Sequence, residues 1–249
     1  MLTFSERLAA KETLLGTIVS INSSAVAEIV SNEGFDWIFI DAEHGALPID
    51  ALENLLRACS KPALIRIADQ SEKSVKQALE VGAQGIIVPQ VNSGDVARAI
   101  ASFAKYPPAG SRGVGVGRAN KYGMAFTEYL KCANNETIVV AQIEHFEAVD
   151  NAAAIIATPG IDAVLVGPND LAASMGHLGN TEHPEVLAAI EKVRAACELL
   201  GKPAGIFHGD VVRACDYGRQ GFSLIACGVD SILLGCAAAE LIKSLSDLR

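Results

Sequence analysis

The sequence lacks close cysteine pairs, long apolar runs and an N-terminal signal segment. Its six cysteines are well separated, and the nearest two, Cys227 and Cys236, are nine positions apart. This spacing excludes CxxC redox pairs and zinc ribbons and predicts buried free thiols. No run approaches the ~18 apolar residues that a membrane helix needs, and the polar start at residues 1–11 has no apolar signal core. We therefore expect no membrane segment and a cytoplasmic location.

Basic charge is also scarce. There are 20 Lys and Arg against 29 Asp and Glu, which gives a formal net charge of −9, and the basic residues are scattered. Such a chain repels polyanions, so nucleic acid is not an expected partner. Half of the 249 residues are hydrophobic, which is enough for a large core. Because no linker or repeat divides residues 1–249, we expect a single domain.

Short apolar runs rich in β-branched residues alternate with stretches of helical periodicity. This alternation predicts an α/β fold with a parallel sheet whose two faces are both covered. Eight such units predict a closed (β/α)8 TIM barrel. The runs are 15–20, 37–41, 63–67, 85–89, 138–143, 163–166, 204–207 and 224–228.

The stretches between the runs carry helix boundaries. One helix is expected to begin at Pro184 and to end before Gly201. No strand is expected in 92–136, where a helix through Lys105 precedes a shaped loop at 106–117 that is long enough to be functional. The last helix, around 237–248, is apolar on more than one side, which predicts packing either on another subunit or on the core.

Polar side chains follow the predicted strands. Because active sites of such barrels lie at the carboxyl ends of the strands, these residues are candidate site residues. Acids at the ends of apolar strands are costly to bury unless they are paired or coordinated. The candidates are Asp41, Glu43 and His44 at the second run, Arg66 in the third, Gln142 and Glu144 at the fifth, and Gly167, Pro168, Asn169 and Asp170 after the sixth.

Glu144 and Asp170 are the candidate metal ligands. They follow adjacent strands, so their carboxylates are placed to meet over the barrel mouth and to share a divalent cation. Oxygen ligands favour Mg²⁺ or Mn²⁺ over zinc, and two protein ligands leave positions for water and a 2-oxo acid. The alternative makes Glu144 part of a strand-end salt bridge and Asp170 a helix cap. Spacing alone leaves both open.

Arg66 and His44 are the candidates for substrate binding and proton transfer. A guanidinium inside an apolar strand needs an anion, which is either a substrate carboxylate held by two parallel hydrogen bonds or a buried ion pair with Asp41 or Glu43. Those two acids also fit a role in orienting the arginine. An imidazole titrates near neutrality, and the charged neighbours of His44 favour it as a base over the other four histidines.

Several other catalytic signatures are absent. No lysine ends a strand run, so a Schiff-base mechanism lacks its amine. There is no GxSxG elbow, no P-loop and no strand followed by GxGxxG. The glycines at 113–117 follow a loop and are expected to serve close backbone approach, with Arg112 reaching toward the mouth or toward a partner subunit.

Four segments together resemble a known enzyme family over nearly the whole chain. They are Phe35–His44 (FDWIFIDAEH), Tyr106–Gly115 (YPPAGSRGVG), Gln142–Glu144 (QIE) and Val166–Gly176 (VGPNDLAASMG). Their order and content resemble the class II pyruvate aldolases of the HpcH/HpaI family, which includes 4-hydroxy-2-oxoheptanedioate and 2-dehydro-3-deoxyglucarate aldolases.

The resemblance implies a site and an assembly. It assigns Glu144 and Asp170 to a divalent ion, which would be Mg²⁺, Mn²⁺ or Co²⁺, Arg66 to the pyruvate carboxylate and carbonyl, and His44 to base chemistry. It places Gln142 and the backbone from Gly167 to Asp170 around the pyruvate. It also implies a last helix exchanged between subunits in a hexamer built as a trimer of dimers.

One position departs from the family pattern. The family pairs the histidine with an aspartate of a neighbouring subunit, and the matching position here is Glu80. The extra methylene of glutamate lengthens or displaces the hydrogen bond expected between Glu80 and His44.

The implied activity is reversible cleavage of a 4-hydroxy-2-oxo acid into pyruvate and an aldehyde, as used in aromatic or sugar acid catabolism. A second interpretation keeps the enolate site but decarboxylates oxaloacetate or cleaves an acyl-CoA. A third is a metal-binding or oxo-acid-binding protein without catalysis. Retention of Arg66, His44, Glu144 and Asp170 together argues against the third.

Overall fold

A computed structural model describes residues 2–246, and its strands close into a parallel barrel. Each strand pairs with the next along the chain, and the first pairs with the last, so the sheet has no free edge. The predicted (β/α)8 fold is therefore confirmed. The strands are Leu14–Val19 (β1), Trp37–Asp41 (β2), Ala63–Arg66 (β3), Gly85–Val88 (β4), Ile138–Ile143 (β5), Ala163–Val166 (β6), Ala204–His208 (β7) and Leu224–Val229 (β8).

Helices surround the barrel, and most connect one strand to the next. A 3-10 turn lies at Arg118–Asn120. In the described part of the chain, no helix is long and apolar enough to cross a bilayer. The helices are Phe4–Ala9 (α1), Ser24–Ser31 (α2), Ile49–Ala58 (α3), Glu72–Glu80 (α4), Gly94–Ala104 (α5), Phe126–Glu136 (α6), Phe146–Asp150 (α7), Ala152–Ile156 (α8), Pro168–Ser174 (α9), Pro184–Leu199 (α10), Val211–Arg219 (α11) and Asp230–Ser244 (α12).

The core has two parts, one inside the barrel and one between the strands and the helices. Inside, Trp37 and Phe39 stack with ring centroids 5.9 Å apart, and Leu64 and Leu165 pack in the same cluster. Phe4 of α1 packs on this cluster too. Every residue of strands β2 to β6 is buried, because the barrel interior covers one face and the helices cover the other.

Two expectations about the elements need correction, and one helix is additional. Helix α6 lies within 118–136, for which no element was predicted, and the absence of a strand from 92–136 is confirmed. The last helix begins at Asp230, not near 237, because β8 runs directly into it; residues 247 and 248 of the expected helix lie outside the described residues. Cys197 is a buried thiol as expected, but Cys215 and Cys236 are exposed.

Candidate active site

The carboxyl ends of the strands surround a pocket of about 310 Å³. Its polar lining comes from four different strand ends, so the closed barrel brings together residues that are remote in sequence. Ile18, Phe39, Leu165, Phe207 and Val229 form its apolar walls. Of the predicted site residues, Asp41, His44, Arg66, Gln142, Gly167, Pro168, Asn169 and Asp170 line it.

Arg66 and Asp41 form a buried ion pair on adjacent strands. The register of β2 and β3 places the two residues side by side. Arg66 donates from Nε and Nη2 to the two Asp41 carboxylate oxygens, at 2.9 and 2.7 Å. Burial alone would raise the pKa of Asp41, but the hydrogen bonds and charge of Arg66 outweigh burial and hold that pKa below its usual value of 3.8. The buried ion pair that was the alternative role predicted for Arg66 is therefore present. Asp41 orients the guanidinium toward the pocket.

Glu43 connects Arg66 to His44. Its Oε2 atom lies 3.2 Å from Arg66 Nε and 3.7 Å from His44 Nε2. Neither contact has hydrogen-bond geometry, so this oxygen is buried without a hydrogen-bond partner. Partial burial raises the pKa of Glu43, and the nearby Arg66 and His44 charges oppose that rise. His44 itself is exposed at the pocket rim, with 65% of its side chain accessible.

Glu144 is a buried acid beside the pocket. It is 2% exposed, and its Oε1 accepts a hydrogen bond from the Gln90 backbone N–H at 2.8 Å. Its Oε2 is contacted by the Gln142 side-chain amide. Burial is the main cause that raises the pKa of Glu144 to about 7, and the charges of Glu43 and Asp170 raise it further. Among the described residues, Glu144 forms no salt bridge, so the strand-end salt bridge expected as its alternative role is wrong.

Asp170 lies at the start of α9, close enough for its charge to affect Glu144. It is exposed, and the N-terminal cap of α9 is Gly167 without any side-chain bond, so the alternative role of Asp170 as a helix cap is also wrong. Gly167 leaves space for Glu144, because a Cβ atom there would lie 2.9 Å from Glu144 Oε2. A buried Gln142 Oε1 without a hydrogen-bond partner lies next to them.

This donor set fits a hard divalent cation. Glu144 and Asp170 supply anionic oxygens, and among the described residues neither is neutralised by a salt bridge. Gln142 Oε1 is a further unpartnered oxygen. Carboxylate and amide oxygens are the ligands that Mg²⁺ and Mn²⁺ prefer.

Arg112 and Glu80 lie elsewhere. The expectation that Arg112 reaches the mouth or a partner is corrected: its side chain is fully buried, with its guanidinium carbon 4.6 Å from the Tyr106 ring centroid and 5.8 Å from that of Tyr129. Arg112 Nη2 is 3.0 Å from Glu80 Oε1. Within one chain Glu80 therefore pairs with Arg112, and Glu43 is the acid beside His44.

Sequence reasoning missed one contributor to the site. Gln90, with a φ of 55°, presents its backbone N–H to Glu144. It follows β4 by two residues, so the strand-end rule that selected the other candidates would have found it if backbone donors had been considered.

Comparisons with known proteins show which family this chain resembles. The family model described as HpcH/HpaI aldolase/citrate lyase matches residues 15–236. A hydroxypyruvate/pyruvate aldolase of Pseudomonas aeruginosa is 37% identical over 243 residues, which are 96% of this chain and 90% of that protein. A 4-hydroxy-2-oxo-heptane-1,7-dioate aldolase of Salmonella typhimurium strain LT2 is 38% identical and covers 96% of this chain and 92% of its own length.

A solved structure shares the whole fold. The crystal structure of an HpcH/HpaI aldolase/citrate lyase family protein from Burkholderia cenocepacia J2315 superposes with a TM-score of 0.93 at 34% identity. The superposition covers 97% of this chain and 98% of that one.

The Asp41–Arg66 pair generates a pH-dependent prediction. Because the folded-state pKa of Asp41 lies below the unfolded value of about 3.9, its carboxylate stabilises the fold above that pH, and the stabilisation is lost as pH falls through the folded pKa. Asp41→Asn removes the carboxylate that accepts both Arg66 hydrogen bonds and leaves the buried guanidinium only its 3.2 Å contact with Glu43, so we expect it to lower the free energy of unfolding by about 3–5 kcal/mol at pH 7. Urea denaturation followed by circular dichroism measures this.

The control is an exposed pair, Asp150 with Lys192, whose side chains are 72% and 57% accessible. Asp150→Asn should change the free energy of unfolding by only about 0–1 kcal/mol. The difference between wild type and Asp41→Asn should shrink below about pH 4. A difference that stays constant from neutral to acid pH would contradict the assignment.

Proposed function

This chain belongs to the HpcH/HpaI aldolase/citrate lyase family, and we propose that it reversibly cleaves a 4-hydroxy-2-oxo acid into pyruvate and an aldehyde at the barrel mouth. It is a carbon–carbon lyase of the aldolase type. The observation that carries the proposal is one pocket in which Arg66, His44 and Asp170 meet next to the buried carboxylate of Glu144. These groups match the needs of a reaction that develops negative charge on a keto acid.

Glu144 and Asp170 are the proposed ligands of a divalent cation, which would be Mg²⁺, Mn²⁺ or Co²⁺. When bound, such a cation supplies Lewis-acid stabilisation for negative charge on the substrate keto oxygen. The Gln90 N–H and the Gln142 amide hold the Glu144 carboxylate in place. Gly167 keeps the space beside that carboxylate free of a side chain.

Arg66 is proposed to bind the pyruvate carboxylate. Its Nε and Nη2 donate to Asp41, so Nη1 remains for the substrate. The fixed guanidinium also places positive charge near the part of the substrate that becomes the enolate. Because Asp41 already holds the group, little side-chain entropy is lost when substrate binds.

His44 is proposed to take the proton from the C4 hydroxyl, either directly or through a water. As that O–H bond breaks, its electrons form the aldehyde carbonyl, the C3–C4 bond breaks, and its electrons pass to C3 as the pyruvate enolate. Protonation at C3 then gives pyruvate. Glu43, 3.7 Å from His44 Nε2, stabilises the protonated imidazole within one chain. The predicted contact between His44 and a neighbouring subunit's Glu80 stays a prediction.

The pocket and the relatives also bear on two other reactions, oxaloacetate decarboxylation and acyl-CoA cleavage. Its walls beyond the polar groups are apolar, and a volume of about 310 Å³ suits a keto acid with a short aldehyde. Oxaloacetate decarboxylation would use the same groups, but the named relatives at 37–38% identity are aldolases, which favours aldol cleavage. An acyl-CoA needs basic residues for its phosphates, and Arg66 is the one lysine or arginine among the residues that line the pocket.

A pyruvate assay coupled to lactate dehydrogenase tests the proposal. With a 4-hydroxy-2-oxo acid as substrate, pyruvate should form, EDTA should abolish its formation, and added Mn²⁺ should restore it. Glu144→Gln with Asp170→Asn should remove the metal-dependent rate. The control Glu147→Gln changes an acid that is 60% accessible and three residues from Glu144, and it should keep that rate. Pyruvate formation that EDTA and the double variant leave intact would refute the metal role.

The role of His44 gives a separate prediction. His44→Ala should lower kcat by about 10²–10⁴-fold, which is the usual contribution of a general base. The dissociation constant for Mn²⁺, measured by calorimetry, should stay close to that of wild type because His44 is not a proposed ligand. An unchanged kcat would exclude it as the base.

We also propose that α12 packs on a second copy of the chain, as part of a hexamer of three dimers. In α12 only Asp230 is buried, while Ile232, Leu234 and Leu241 are 60%, 62% and 63% exposed. Large apolar side chains in one exposed helix mark an association surface.

The six free thiols agree with the proposed cytoplasmic location, where thiols stay reduced.

Substitutions on α12 test the assembly. Leu234→Glu with Leu241→Glu should lower the molar mass seen by light scattering, because charges on both residues oppose burial against another copy. Leu199→Glu is the control, since Leu199 is 86% exposed on a different helix and should leave the mass unchanged. A double variant with the wild-type mass would contradict the proposal.

A further inference from the structure

Three potential metal ligands meet outside the barrel-mouth pocket. His177, His183 and Glu185 each offer one ligand atom, and these atoms lie within 4.8 Å of one another. Within residues 2–246 this is the one group of three His, Cys, Asp or Glu side chains that meets that distance. None of the three lines the pocket. They belong to the segment between α9 and α10 and to the first turn of α10.

The contacts within this cluster join two histidines to one carboxylate. His177 Nε2 lies 2.8 Å from Glu185 Oε2. The two imidazole rings stack with centroids 3.5 Å apart and an interplanar angle of 16°. The backbone N–H of Glu185 donates to His183 Nδ1 at 3.3 Å. Both histidines are partly accessible and Glu185 is exposed, so a cation can enter from solvent.

The charge of the cluster suits a cation. Glu185 supplies the carboxylate of the group, with its Oε2 beside His177 Nε2. The nearby Arg213 contacts Glu182, and among the described residues it forms no salt bridge with Glu185. An anionic oxygen beside two imidazoles is the donor set that zinc accepts with three protein ligands and one open position.

We propose that His177, His183 and Glu185 form a second metal site, selective for Zn²⁺ and related borderline ions over Mg²⁺. Imidazole nitrogen suits zinc, whereas the oxygen ligands at the mouth suit Mg²⁺ or Mn²⁺. A ring nitrogen binds a metal along its lone pair in the ring plane, so coordination requires the two rings to leave their parallel stack. The bound ion then ties the segment after α9 to the start of α10.

Two similar histidines provide an internal comparison. His145 accepts from the Glu147 N–H at 3.3 Å, and His208 accepts from the Asp210 N–H at 3.1 Å, so both repeat the arrangement of His183 with Glu185. Neither belongs to a group of three ligands among the described residues. A histidine that accepts from the backbone N–H of an acid two residues later therefore occurs at three places among the described residues, and His177 is what distinguishes the proposed site.

Zinc calorimetry tests the site after the mouth is silenced with Glu144→Gln and Asp170→Asn. In that background, near pH 7.5, we expect one Zn²⁺ per chain. Adding His177→Gln should weaken binding by about tenfold or more, as loss of a metal-site contact does. Adding His208→Gln should leave zinc affinity unchanged. Circular dichroism confirms that each variant is folded. If a variant at the second histidine, His183→Gln, does not fold, the result with His177→Gln alone decides whether the zinc site exists.

A second measurement separates a shaped site from loose surface binding. Zinc should increase hydrogen-exchange protection across residues 175–183 in the mouth-silenced protein, and His177→Gln should remove that increase. Absence of zinc binding, equal binding with His177→Gln, or equal loss with His208→Gln would each overturn the proposal. None of these outcomes depends on aldolase activity, so failure of the zinc site is distinguishable from failure of the proposed reaction.

Discussion

The burial of the Glu144 carboxylate is the constraint on which the proposed site depends. An ionised carboxyl group inside a protein is costly unless positive charge or hydrogen bonds compensate it. Here the Gln90 N–H and the Gln142 amide compensate part of the cost, and burial still raises the pKa of Glu144 to about 7. The acid of Asp170 adds to the negative charge and does not relieve it. The proposed divalent cation would offset this excess of negative charge.

Asp41, at the end of β2, is compensated in a different way. It is as buried as Glu144, but both of its oxygens accept from Arg66. The two buried acids therefore differ in the partners that compensate their charge. Asp41 is paired with a guanidinium that it holds in place, whereas Glu144 has no cationic partner among the described residues. The same arginine is thus both part of the folded core and part of the proposed binding surface.

The sequence predicts the barrel and most of the mouth, because both follow from short-range patterns. The eight apolar runs match the observed strands within one residue at every end, and the strand-end rule places Arg66, His44 and Asp170 in one pocket. Longer-range features escape this reasoning. The burial of Arg112 depends on Tyr106 and Tyr129, which reach it through a loop and a helix whose path the sequence does not fix.

The contact between His177 and His183 is a second long-range feature that sequence patterns do not predict. His177 and His183 read separately as a loop residue and a helix cap, and nothing in their spacing of six positions predicts that their rings stack. Only the turn between α9 and α10 brings them together. Because this turn follows the helix that carries Asp170, a cation on the histidines would act on the same strand-to-strand connection as a cation at the mouth. The two proposed sites differ in their donors, with oxygen ligands at the mouth and two imidazoles with one carboxylate outside it.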